Sequence, residues 1–267
     1  MGIPAFDYVR PANLAEARKA YQASGDARYI AGGQTLLPVM KQRLAQPASL
    51  IDLGAISGIS GITVDGNTLT VGAMTRHAEV AASPDVRRLI PALAHLASLI
   101  GDPQVRNRGT MGGSLANNDP SADYPAAVLG LGATVHTDSR SIVADDFFDG
   151  LFATSLEEGE IIRAISFPVP ERAHYEKFAH PASRFALVGV MVSKGSQGVR
   201  VAATGAGQGG VFRVTEMEAA LDKSFAVSAI EGITVPAEDM IADMHAPGAY
   251  RAQLVGVLAR RAVAALA

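Results

Sequence analysis

Ala31-Gly32-Gly33-Gln34-Thr35-Leu36-Leu37-Pro38 sets the architecture expected of this chain, and it has a counterpart in Thr110-Met111-Gly112-Gly113-Ser114-Leu115-Ala116-Asn117. Each reads as a strand running into a tight turn and then a helix. A pair of glycines removes two Cβ atoms and permits positive φ, so backbone N–H groups converge on an anion at the start of the following helix. Two such turns in one chain predict the halves of a single diphosphate cradle, and so a nucleotide cofactor. Gln34 and Thr35 in the first turn, with Thr110 and Ser114 in the second, add neutral donors. No Walker lysine follows either turn, which disfavours a transferable triphosphate with magnesium and favours a permanently held dinucleotide. Asp123, trailing the second turn, is able to accept from a ribose or ribityl hydroxyl.

Working outward, Asn13 and Glu16 resemble a capping box ahead of an apolar face at Leu14, Ala17 and Tyr21, and Gly25 is a natural stop. Arg28 to Ala31 predicts a buried strand into the first turn, Leu36 to Leu44 the helix after it, and Ser49 to Leu53 another strand. Ile62-Thr63-Val64 and Thr68 to Val71 flank Asp65-Gly66-Asn67, a hairpin signal. Helices are expected over Thr75–Ala82, Val86–Leu99 and Ala126–Leu131, and strands over Ala133–His136 and Glu160–Phe167. Pro168 and Pro170 mark a domain boundary, giving a first domain of residues 1–170, with subdomains of about 1–54 and 55–170, and a second of 171–267. In the second, Leu187–Val192 and Val199–Thr204 read as strands, Thr215–Leu221 as a helix with a Thr215/Glu218 capping box, and Tyr250–Leu266 as a closing helix. Gly205-Ala206-Gly207-Gln208-Gly209-Gly210 imitates a dinucleotide fingerprint, but too little chain follows for a βαβ unit with its acidic ribose ligand. A flexible connection between strands is expected there.

Composition narrows the chemistry. At 267 residues with 48% hydrophobic and 18% charged residues, the chain is long enough for a sizeable core, and its net charge of −3 shows no basic stripe for nucleic acid. No stretch approaches the roughly 18 apolar residues of a membrane span, and no leader pattern opens the chain, so a cytoplasmic location is expected. Zero cysteines exclude a thiol nucleophile, a disulfide framework and an iron–sulfur cluster held by this chain's own thiolates. The six histidines lack metal-ligand spacing, so no metal is assigned, and each is expected to be a surface or locally satisfied residue. No Ser/His/acid or paired-carboxylate pattern argues for a catalytic residue in this chain.

At these motifs the chain resembles the FAD-binding medium subunit of the molybdenum hydroxylases, the group that includes the carbon monoxide dehydrogenase medium subunit and the flavin portion of xanthine dehydrogenase. The first motif of that family, AGG, an amide or imidazole residue, a hydroxyl residue and LLP, stands at Ala31 to Pro38. The second, DPQVR, a spacer, TxGG and DPxxD, stands at Asp102–Arg106, Thr110–Gly113 and Asp119–Asp123. Ser114 departs from the asparagine common in relatives, and Asn107-Arg108 is an unusually polar spacer.

The resemblance implies an α+β fold of the vanillyl-alcohol oxidase type (PCMH-type): two subdomains clamping FAD, followed by a C-terminal three-stranded antiparallel sheet with helices. It implies that the FAD pyrophosphate lies on Ala31, Gly32, Gly33, Gln34, Thr35 and Leu36 and on Thr110, Met111, Gly112, Gly113 and Ser114. Asp119 counts among the cofactor-binding residues, Asp123 falls near the ribityl chain and flavin, and Ile162 and Lys177 fall near the isoalloxazine. Phe185 reads equally as an aromatic group near that ring or as a core residue. The function implied is electron relay: a large molybdenum-binding partner hydroxylates substrate, and iron–sulfur clusters on a small partner pass electrons to FAD here. The alternatives are a self-sufficient flavin oxidase or reductase on the same fold, and a cofactor-less structural subunit.

Overall fold

The computed structural model describes residues 2–266. The chain begins with β1 (Asp7–Val9), α1 (Leu14–Ala23), β2 (Ala27–Ile30), α2 (Leu36–Lys41) and β3 (Ser49–Asp52), whose strands form a parallel sheet in the order β1-β3-β2. Asn13 caps α1 by accepting from Glu16 N at 2.9 Å, while the Glu16 carboxylate reaches back to Ala12 N at 2.9 Å. α2 stops short of the expected Leu44, because Arg43 takes a φ of 59°, a left-handed conformation that ends a helix.

Next come β4 (Ile62–Asp65) and β5 (Thr68–Gly72), joined through Gly66 at a φ of 55°, and a run of short helices. These are α3 (His77–Ala82), α4 (Pro84–Leu89), α5 (Pro91–Ser98), α6 (Pro103–Arg106), α7 (Met111–Asn117) and α8 (Tyr124–Gly130). The helix expected over Val86–Leu99 is two, because Pro91 has no N–H to donate and its ring bars Ile90 from helical geometry, leaving it at φ −137° and ψ 69°. β6 (Thr134–Thr137), β7 (Ser141–Val143) and β8 (Ile162–Pro168) complete an antiparallel sheet in the order β4-β5-β8-β6-β7. α5 and α8 pack with it around one core containing Leu93, Leu96, Tyr124, Val128, Ile165 and Phe167, all fully buried.

β9 (Arg172–Ala179), β10 (Ala186–Gly195), β11 (Gly198–Gly207) and β12 (Gly210–Arg213) form an antiparallel sheet, order β12-β11-β10-β9. The resemblance implies three strands; the short β12 adds a fourth at the edge. The Gly205–Gly210 segment is therefore not a flexible connection: Gly207 pairs with Gly210 across a turn at Gln208-Gly209. α9 (Thr215–Lys223) and α10 (Gly248–Ala264) cover one face of the sheet, burying Val190, Val201, Met217, Val255 and Leu258. The Thr215/Glu218 capping box does not form. Glu218 is drawn into the interior, where it accepts from Val201 N at 2.9 Å and from both Arg213 Nε and Nη2 at 2.9 and 2.6 Å.

The other face of this sheet meets α8. Ser193 Oγ and Arg200 Nη1 donate to the last carbonyls of that helix, Gly130 and Leu129, at 2.6 and 3.1 Å. Thr204 Oγ1 donates to Ala122 O at 2.7 Å, and Gly205 N to Pro120 O at 2.8 Å, so the C-terminal sheet fixes the segment that carries Asp119 and Asp123. Among the described residues no helix is long and apolar enough to cross a membrane.

Candidate functional site: a cleft over two glycine turns

A cleft of about 970 Å³ runs between the parallel sheet and the antiparallel sheet of β4 to β8, with the Ala182–Phe185 segment at its rim. Such a volume lies at the upper end of the range for small-molecule and cofactor sites. Both glycine turns line it, and they touch: a Cβ on Gly32 would fall against the carbonyl of Arg108 and 2.8 Å from Gly109 Cα, while one on Gly113 would sit 3.6 Å from Ala31 Cβ.

The two turns differ in how they use their N–H groups. Gly33 adopts a φ of 71°, and Leu37 N donates to Gly33 O at 3.1 Å as α2 begins. The N–H groups of Gly33, Gln34, Thr35 and Leu36 have no acceptor among the described residues, and Thr35 makes no side-chain cap. The first turn thus presents free donors at a helix start. In the second turn Met111 N donates to Thr75 O at 3.1 Å, Gly112 N to Ala73 O at 2.8 Å and Gly113 N to Thr110 Oγ1 at 3.2 Å. That turn supplies shape and the Thr110 and Ser114 hydroxyls, with its N–H groups occupied.

Of the residues singled out from the sequence, Ala31 through Leu36, Thr110, Gly112, Gly113, Ser114, Asp119, Asp123 and Ile162 line the cleft. Met111 does not: it is fully buried in the core beneath the turn. Lys177 does not either; it stands behind Asp123, donating to Asp123 Oδ2 at 2.9 Å and to Leu99 O at 3.1 Å. Asp123 Oδ1 accepts from Tyr175 at 2.6 Å. Burial pushes the Asp123 carboxyl above its ordinary value, against the pull of Lys177 and Tyr175. Each oxygen keeps a lone pair for a further donor. Asp119 Oδ1 accepts from Ser121 N at 2.8 Å, and Gln34 Nε2 folds back on Gly32 O at 3.3 Å. Phe185 is no core residue: it is 50% exposed at the cleft rim.

The wall that carries Ile161 and Ile162 is braced from behind. Asp138 Oδ1 accepts from Ile161 N at 3.0 Å and its Oδ2 from Arg18 of α1 at 3.0 Å, and Tyr29 donates to Gly159 O at 3.0 Å. Glu160 accepts from Thr137 Oγ1 at 2.7 Å, Ser139 Oγ at 2.9 Å, Glu157 N at 2.8 Å and Arg140 Nε and Nη2 at 3.0 Å each. These donors, Arg140 first, hold its carboxyl down from 4.5 to about 2. A depressed folded value means that this stabilisation is complete above the unfolded value and is lost as pH falls from about 4.5 towards 2. Glu160→Gln is therefore expected to flatten the fall of Tm in that window; a thermal melt series from pH 6 to pH 3 on both proteins measures it, and parallel curves contradict it.

Sequence reasoning missed His77. Treated as a surface or locally satisfied residue, it is instead buried, lines the cleft, and has no partner for Nδ1. Burial, reinforced by the Arg106 guanidinium, lowers its pKa to about 4. Its place beside the N-terminus of α3 carried no pattern that could have exposed it.

The family described as FAD binding domain in molybdopterin dehydrogenase matches residues 4–170. The nicotine 6-hydroxylase medium subunit of Paenarthrobacter nicotinovorans is 36% identical over 276 residues, 98% of each chain. The carbon monoxide dehydrogenase medium chain of Afipia carboxidovorans is 36% identical over 280 residues, 97% of this chain and 95% of that one. Among solved structures, a chain of quinoline 2-oxidoreductase from Pseudomonas putida 86 superposes with a TM-score of 0.89 at 31% identity, covering 99% of this chain and 98% of that one. Carbon monoxide dehydrogenase from Hydrogenophaga pseudoflava gives 0.87 at 33% identity over 99% and 98%. A cleft floored by two touching glycine turns, in a chain matched end to end by these subunits, belongs to the FAD-binding family of the molybdopterin dehydrogenases.

Proposed function

We propose that this chain is the FAD-carrying subunit of a molybdenum-containing hydroxylase or dehydrogenase, receiving electrons from iron–sulfur clusters on a small partner and passing them to an external acceptor. The observation that carries the reading is the cleft of about 970 Å³ over paired glycine turns, one of which holds free N–H donors. FAD fits the residues present: Gly32 lets the two turns close against each other, where a Cβ would strike the Arg108 carbonyl, and the free donors of Gly33 to Leu36 suit a diphosphate. When bound, FAD supplies chemistry that accepts electrons singly and releases them singly or in pairs. In this proposal Ala31–Leu36 and Thr110, Gly112, Gly113 and Ser114 hold the diphosphate, Asp119 and Asp123 accept from the sugar or ribityl hydroxyls, and Ile162 packs on the ring. Met111 and Lys177 act from behind, by packing and by charge. Residues 1–170 form the FAD-binding domain and 171–267 the C-terminal domain. The large molybdenum-binding and small iron–sulfur partners, and the cytoplasmic location, belong to the same proposal.

A self-sufficient oxidase or reductase would need a free acid or base over the ring. Of the buried carboxylates lining the cleft, Glu160 is committed to protein donors, and Asp123 is held by Tyr175 and Lys177 with its remaining lone pairs left for the cofactor hydroxyls. Isolation of the native protein through a tag on this chain tests the choice. FAD with a large molybdenum subunit and a small iron–sulfur subunit is the expected result; FAD on an unaccompanied chain that an organic substrate reduces would overturn it, and absence of flavin would leave a scaffold.

Gln34→Ala is expected to weaken FAD binding by less than tenfold, because it removes one weak bond to Gly32 O and leaves the backbone donors in place. Fluorescence titration of the stripped protein with FAD measures it, and loss of all binding would show that the amide itself holds the cofactor.

A further inference from the structure

The second glycine turn leaves a donor deficit. Its N–H groups at Met111, Gly112 and Gly113 are spent on Thr75 O, Ala73 O and Thr110 Oγ1, so an anion lying across both turns finds free N–H groups on one side only. Donors on the other side must come from side chains: the Thr110 and Ser114 hydroxyls, and an imidazole that stands beside them. His77 N donates to Gly109 O at 3.0 Å, Arg76 bridges Thr110, and a Cβ on Gly109 would lie 2.5 Å from His77 Nε2. The ring is therefore fixed directly against the residue that leads into the turn. It lines the cleft while only 5% exposed, and rests on the Tyr124 ring with centroids 5.3 Å apart.

Its protonation follows from burial. With a pKa of about 4, the imidazole is neutral at physiological pH and carries one N–H. Hydrogen on Nδ1 would strand a donor, since that atom is buried with no acceptor. Hydrogen on Nε2 strands only a lone pair, which costs less.

We infer that His77 is a cofactor-binding residue whose Nε2–H donates to a diphosphate oxygen of the bound FAD at the second glycine turn. The inference rests on the FAD reading of the cleft. An Nε2–H donor there adds a hydrogen bond to a permanently held anion on the side where the backbone N–H groups are spent.

The test uses the full chain labelled with 15N-histidine, stripped of flavin and titrated with FAD, with His77→Gln identifying the His77 resonances. The Nε2 signal of His77 is expected to shift on saturation with FAD, and before FAD is added the ring should show the pattern of a neutral, Nε2-protonated imidazole from pH 5 to 8. In His77→Leu the Kd for FAD should rise about tenfold or more, equivalent to about 1.4 kcal/mol, and His77→Gln should recover most of that loss. Riboflavin, which lacks the diphosphate, should bind all three proteins alike. An unshifted His77 signal at saturating FAD overturns the inference, as does a His77→Leu protein that loses FAD and riboflavin equally, the mark of a purely structural role. A wild-type chain that takes up no FAD overturns the cofactor reading itself, and this inference with it.

Discussion

Gly32→Val is expected to yield a folded but colourless protein. A Cβ at position 32 falls against the carbonyl of Arg108, 2.7 Å from its carbon and 2.8 Å from Gly109 Cα. All three are backbone atoms, so no rotamer change relieves the collision, and the two glycine turns must move apart. Overpacking of this kind costs about 1–3 kcal/mol of stability, which a chain held by two large hydrophobic cores survives. In the proposed cradle the cofactor does not survive it, because the diphosphate would be held by donors whose separation the collision changes. We expect flavin content to fall below a tenth of wild type, a loss on the order of 100-fold or more in affinity, about 2.7 kcal/mol. Gly113→Ala provides the contrast. Its Cβ would meet the Thr110 hydroxyl at 2.9 Å and Ala31 Cβ at 3.6 Å, and a hydroxyl can rotate away, so most of the flavin should be retained. Absorbance at 450 nm per chain, measured beside a thermal melt, separates the two. Stoichiometric flavin in Gly32→Val would show that the turns do not act as one cradle.

The first glycine turn and most of the helices were legible because their signals are local; the strand expected ahead of the second turn is instead the helix α6. The Asn13 cap, the Gly66 hairpin and the strand before Gly32 each depend on residues within a few positions of one another, and each forms where expected. What escaped depends on residues far apart in the chain. β9 runs from Arg172 to Ala179 with no apolar alternation, its adjacent charges Glu176 and Lys177 following a single fully buried Tyr175, and it exists because β10 offers an edge to pair with. Glu218 had the spacing of a cap, yet Val201 N and Arg213 outbid the helix for it. The division of labour between the turns was equally hidden, since nothing in Met111-Gly112-Gly113 announces that Ala73 and Thr75 will take their N–H groups. Lys177 was expected beside the ring because of its place in the chain; its partner, Asp123, lies 54 residues away and draws it behind the cleft.

That partnership yields the second large effect. Lys177→Met is expected to lower Tm on the order of 10 °C at pH 8, from the roughly 3–5 kcal/mol that follows when one member of a buried ion pair is removed. Methionine keeps the length and apolar stem of lysine, so packing is nearly conserved, and the loss falls on charge. Lys177 and Asp123 are 3% and 5% exposed, and no solvent can replace the ammonium. Tyr175 still donates to Oδ1, but Oδ2 is left with a negative charge in an apolar setting. The sign of the pH dependence follows. Burial already raises the Asp123 carboxyl above 3.8, and removal of the cation raises it further in the folded state alone. A raised folded value means that the penalty is absent below the unfolded value and grows as pH rises through the folded one. The variant should therefore approach wild-type stability near pH 4 and fall away from it towards pH 8. Adding Asp123→Asn removes the stranded charge while an amide oxygen still accepts from Tyr175, so the double variant should regain most of the Tm. Flavin content should fall in Lys177→Met even where the protein stays folded, because the pair ties β9 and the end of α5 to the residue that opens α8 at the cleft floor. A Lys177→Met protein as stable as wild type at pH 8 would show that this tie carries no load, and Asp123 would then have to be held in the cleft by Tyr175 alone.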